Sequence, residues 1–137
     1  MTYDQHVRRL VLLGVIAAVC VPSAGATAAV PFKATLVAGT HHPAINTRWP
    51  YAVKVVDPNG RPLRATVSVA VVDPIGGVHP TQFYVGTKYV TNIPFKGVFR
   101  DAVTWPPESR GYSLTFRVIV KVGTARKVLK YVVTPGG

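Results

Sequence analysis

The chain has 137 residues, of which 48% are hydrophobic and 15% charged, with 16 Lys and Arg against 5 Asp and Glu. That is enough apolar material for one core and enough length for one domain, which excludes both a disordered chain and a two-domain protein. Twelve prolines and 12 glycines punctuate the apolar stretches without forming a low-complexity tract.

At the N-terminus Arg8 and Arg9 precede an uncharged apolar run over residues 10–21, followed by Pro22, Ser23 and the small residues Ala24, Gly25, Ala26 and Ala28. This is the order of a secretory signal. A signal-peptide helix is expected over residues 1–29, with cleavage between Ala26 and Ala29 and one domain over residues 30–137. The run falls short of the ~20 residues a membrane span requires, so no span is expected after cleavage. Cys20 is the one cysteine and lies inside this segment, behind the bulky Val19. The exported domain would therefore carry no disulfide, no thiolate-bound zinc and no cysteine nucleophile. Without Asp4, Arg8 and Arg9 it keeps 14 basic and 4 acidic residues, a net charge of +10. A secreted, periplasmic or surface-associated domain this basic attracts anionic surfaces and polymers.

Residues 32–38 form the first expected strand, with Phe32, Ala34 and Leu36 (or Val37) on its core side. A polar connection over residues 39–48 contains His41 and His42. Residues 49–72 then read as a central β-hairpin. Tyr51, Val53 and Val55 alternate on the way in, and Ala65, Val67, Val69 and Val71 on the way back, about an Asp57-Pro58-Asn59-Gly60 turn. Residues 73–80, with His79, read as a long loop. Residues 82–90 form one strand interrupted near Gly86, or two short ones, and residues 95–105 form the next. The last two strands carry the clearest alternation. Leu114, Phe116, Val118, Val120 and Val122 face the core in one; Leu129, Tyr131 and Val133 do so in the other, with Lys127 and Lys130 turned out. No segment has apolar residues at helical spacing with caps. About seven strands without helices describe an all-β, two-sheet antiparallel sandwich, with a small closed barrel as the other solution.

The segment Val53-Lys54-Val55-Val56-Asp57-Pro58-Asn59-Gly60-Arg61-Pro62-Leu63 resembles the strand–turn–strand of bacterial immunoglobulin-like domains, as in invasin-type surface modules and small periplasmic β-sandwich proteins. The resemblance covers about a dozen residues. It implies an immunoglobulin-like sandwich that serves as a binding or structural module, not as a catalyst.

The residues themselves agree that no enzyme is expected. Asp57 and Asp73 each precede a proline at a strand exit, where Asp caps turns; Asp101 neighbours Arg100, and Glu108 lies among prolines. No two are placed as an acid–base pair. Ser68, Ser109 and Ser113 lack a nucleophile's setting, and Gly76-Gly77 lacks the lysine and helix of a phosphate loop. Arg117, Lys121, Arg126, Lys127 and Lys130 crowd the last two strands, with Arg110 just before them, and form a candidate basic stripe for an anionic polymer or cell-surface glycan. The alternative is a copper or zinc site built from His41, His42 and His79 on the sandwich rim. No cofactor is expected. An open sheet edge could also take a protein partner.

Overall fold

The computed structural model describes residues 31–136; the export signal expected over residues 1–29 lies outside them. Ten strands follow in order: β1 (Lys33–Ala38), β2 (Arg48–Val56), β3 (Arg64–Val72), β4 (Val78–Pro80), β5 (Phe83–Val85), β6 (Lys88–Val90), β7 (Ile93–Lys96), β8 (Val98–Thr104), β9 (Leu114–Val122) and β10 (Ala125–Val133). A single 3-10 turn, Pro107–Ser109, separates β8 from β9. Every pairing is antiparallel. One sheet runs β1-β2-β8; the other runs β10-β9-β3-β4, with β7 beside β4 on the same edge of β3. β5 and β6 form a separate two-stranded hairpin. No helix among the described residues is long and apolar enough to cross a membrane.

Alternation builds the core between the two sheets. Tyr51, Val53 and Val55 project from β2, Ala65, Val67 and Val69 from β3, and Phe116, Val118 and Val120 from β9; all are buried. Trp49 and Trp105, at a strand entrance and a strand exit, are buried as well and meet edge to face with centroids 5.5 Å apart. The Trp49 indole donates to the Thr40 carbonyl at 2.9 Å, and its ring stands edge-on to Phe116 at 5.1 Å. Polar handle and apolar body are thus both satisfied.

The expected central hairpin is not a hairpin. β2 and β3 lie in different sheets, joined only by a bridge between Val56 and Pro62. The turn itself forms as its residues dictate: Asp57 Oδ1 accepts from the amides of Asn59 and Arg61, and the Asp57 carbonyl from Gly60. Pairing then stops because Gly97 enters between the two strands. Its carbonyl accepts from Val55 at 2.7 Å and its amide donates to the Leu63 carbonyl at 3.0 Å. Gly97 has φ +77, and a Cβ there would meet Pro62 Cβ at 2.8 Å, so only glycine fits. The same residue divides the single strand expected over residues 95–105: β7 before it pairs with β3, and β8 after it with β2.

A second correction concerns residues 73–80. Asp73 repeats the turn chemistry of Asp57, accepting from Ile75 and Gly77 through Oδ1 and from Gly76 through its carbonyl. Here the chain does return as a hairpin, β3–β4, where a long loop was expected.

Candidate functional site

Because opposed residues of an antiparallel pair share a face, the register fixes the outer surface of the larger sheet. Arg126 lies opposite Lys121, and Lys121 opposite Thr66. Lys130 lies opposite Arg117, and Arg117 opposite Ala70. Arg64 lies opposite Lys96 on β7. Six cations therefore occupy one outer face as three like-charged cross-strand pairs. The first two pairs are four residues apart along the strands, roughly 13 Å. Val128 and Ile119 share the face between them, and Val132 lies just beyond the second pair.

None of the four carboxylates of the domain is on this face. Asp57 and Asp73 cap turns, Asp101 accepts from the Tyr51 hydroxyl at 3.2 Å, and Glu108 sits on the 3-10 turn. Among the described residues the one ion pair is His79 with Asp73. Like charges placed directly opposite destabilise a sheet, and nothing nearby offsets them. Arg64, Lys96 and Lys121 also line a shallow depression of about 570 Å³ at one end of the face.

Of the six residues expected in the stripe, the register brings four to one face. Arg117, Lys121, Arg126 and Lys130 share the outer face. Lys127 does not, because it is three residues from Lys130 and alternation sends it the other way. Its ammonium donates to the Phe32 carbonyl and lies 4.8 Å from the Phe32 ring centre, tying β10 to the chain before β1. Arg110 follows the 3-10 turn and packs its side chain beside Gly136, away from the stripe. Arg64 and Lys96 were missed because they lie on strands distant in sequence, which only pairing brings alongside.

The three histidines do not converge. His41 stacks on Tyr131 at 4.1 Å and bonds through Nδ1 to the Val132 carbonyl on β10. His42 is exposed nearby. His79 is on β4, at the opposite edge of the same sheet, with Nε2 2.9 Å from Asp73 Oδ2. Among the described residues no three metal-ligating side chains come together. The hydrogen bond from His79 chiefly, and then that from the Gly77 amide, lower the Asp73 carboxyl below its ordinary range. Burial, with the Asp101 carboxylate beside it, pushes the Tyr51 phenol far above its ordinary value.

A second concavity, unforeseen in the sequence, opens on the flank between β8 and β4. It has a volume of about 1210 Å³ and runs along β8 from Phe99 to Thr104. Phe83, Phe99, Trp105 and Leu114 supply apolar walls, and three of the four carboxylates, Asp73, Asp101 and Glu108, lie on its rim. Beside it the β5–β6 hairpin anchors Phe83 in the core and exposes Tyr84 and Tyr89, stacked edge to face at 5.0 Å.

No protein-family model matches the chain, and no curated protein matches it. Among solved structures, it is similar to a DUF4466 family protein from Parabacteroides merdae ATCC 43184, at 17% identity and a TM-score of 0.45. The match covers 79% of this chain and 44% of that one, so this chain spans less than half of that protein's length.

Proposed function

We propose that the protein is an exported, non-enzymatic binding module that holds anionic polymers of the cell envelope or its surroundings on the outer face of β3, β9 and β10. The observation that carries this reading is the set of three like-charged cross-strand pairs. A sheet gains nothing from Arg126 opposite Lys121, Lys130 opposite Arg117 and Arg64 opposite Lys96, whereas a chain of phosphates or sulfates would turn each repulsion into two attractions. Cations also line the outer face of the smaller sheet, at Lys33, Arg48, Lys54 and Arg100, but not one of these is directly opposite another. Export is supported by the basic pair, apolar run and small residues of positions 8–29.

The fold belongs, in this proposal, to the immunoglobulin-like group. Strands 1, 2 and 8 against strands 3, 9 and 10 follow the connectivity of strands A, B and E against C, F and G in that sandwich. A β2-to-β3 connection that crosses between sheets, as B to C does, fits the same scheme.

The test is retention of the purified protein on immobilised heparin and on DNA across a salt series. Steep loss of retention with salt is expected, with Lys121→Glu/Lys130→Glu eluting much earlier and Lys33→Glu/Lys54→Glu little changed. Equal shifts for the two double variants would reduce the effect to net charge and overturn the assignment of the face.

A further inference from the structure

We propose that the free edge of β8 accepts an extended, basic segment of a partner protein as an added strand in the flanking groove. This goes beyond the polyanion reading and uses a flank of the molecule, not the outer face of β3, β9 and β10.

The sandwich has several sheet edges, and all but one are closed or blunted. β1 and β10 face each other across one flank, and bonds cross it repeatedly: Lys127 to the Phe32 carbonyl, Tyr131 Oη to the Gly39 carbonyl at 2.7 Å, and the Thr134 amide to the His41 carbonyl at 2.7 Å. On the other flank β4 contains Pro80 and β7 contains Pro94, residues that weaken an edge as a template. β8 pairs with β2 on one side; on its other side, among the described residues, no strand pairs with it, and its sequence VFRDAVT holds no proline. An unpaired edge of this kind is a ready place for another strand.

The direction of the free backbone groups follows from Pro50. Pro50 lies opposite Ala102, has no amide hydrogen, and turns its carbonyl towards the β1 side, where it accepts from Gly39. Pro50 and Ala102 are therefore a non-hydrogen-bonded pair, and Ala102 points its own N–H and C=O away from β2, into the groove. Ala102 and its neighbours line that groove throughout.

Charge selects the occupant. In a domain with 14 basic and 4 acidic residues, three of the four carboxylates line this one groove, with Arg100 as its one Lys or Arg. At physiological salt the screening length is about 8 Å, so these groups set the local field and the cations on the far face do not. Trp105, buried at the groove wall, has an indole N–H without an acceptor among the described residues. On the immunoglobulin-like reading the place beside β8 is also that of the fourth strand of its sheet.

The probe is a fluorescent octapeptide of alternating valine and lysine, titrated with the full protein by anisotropy. It should bind, and the version with glutamate for lysine should bind at least about tenfold more weakly. N-methylation of one alternate set of its amides should weaken it about tenfold. Ala102→Pro, which removes only the outward amide, should do the same while the melting temperature holds. Should that variant fail to fold, the methylated peptides give the same reading on the unaltered protein. Equal binding of the lysine and glutamate peptides, indifference to both methylation patterns, or no binding at all would overturn the proposal. So would a self-association of the chain that Ala102→Pro abolishes while the peptide stays unbound.

Discussion

Replacing Lys121 with glutamate should make the protein more stable and a poorer polyanion binder at once. Lys121 stands opposite Arg126 in the β9–β10 register, so the substitution turns a repulsion into an attraction. With the two charges about 7 Å apart in water, the unscreened interaction is about 0.6 kcal/mol. At about 0.01 M salt, where the screening length is about 30 Å, most of that survives and the reversal is worth about 0.9 kcal/mol. At about 0.15 M it falls to about 0.5 kcal/mol, and at about 1 M to about 0.1 kcal/mol. For a domain of this size these correspond to gains in melting temperature of roughly 4–7 °C, 2–4 °C and under 1 °C. Thermal denaturation of both proteins at the three salt concentrations reads the series directly. Over the same range, the dependence of DNA affinity on salt should flatten by at least ~0.9 in logarithmic slope, the share of one phosphate contact. A variant that melts at the same temperature as the parent in low salt, or gains equally in high salt, refutes the view that this face stores repulsion for a ligand to relieve.

Three further outcomes are expected. Lys127→Ala should lower stability by about 1 kcal/mol through loss of its bond and ring contact at Phe32, yet leave heparin elution close to that of Lys33→Ala, measured on the same column. Phe116→Ala, at a fully buried position edge-on to Trp49 and Tyr51, should cost about 3–5 kcal/mol, seen in urea denaturation as a lower midpoint. The Asp73 carboxyl is held below its ordinary range, so its contribution is complete above about pH 4 and fades as pH falls through its lower folded value. Asp73→Asn should therefore narrow the difference in melting temperature between pH 6 and pH 2, and an unchanged acid profile would count against the Asp73–His79–Gly77 arrangement.

What the sequence could tell depended on whether the answer was local. The alternation of Leu114 to Val122 and of Leu129 to Val133 placed β9 and β10 within a residue or two, because each strand buries one face. Asp57-Pro58-Asn59-Gly60 foretold a turn, and Asp73-Pro74-Ile75-Gly76, expected within a long loop with Asp73 as a cap, makes the same hydrogen bonds. Yet one turn joins two sheets and the other closes a hairpin. The difference lies in Gly97, some forty residues beyond the first turn, and no local rule could include it. The basic stripe was legible where strands adjoin in sequence and illegible at Arg64 and Lys96, which β3 and β7 bring together. Assigning Lys127 and Lys130 to one face overlooked that three steps along a strand reverse the side. The flanking groove left no mark in the sequence, since its walls come from several separate stretches of chain.

The uneven binding of the two flanks has a consequence for how the domain moves. Along β1 and β10 the sheets are laced by backbone and side-chain bonds, and at Gly97 the crossing chain fastens them again. Along β8 and β4, among the described residues, nothing comparable joins them. The two layers are therefore bound like the leaves of a book, with a spine and a fore-edge, and thermal opening swings about the spine. Amides of β1 and the far end of β10 will exchange with solvent only when the whole domain unfolds. Those at the outer margin of β8 will exchange through small, frequent openings.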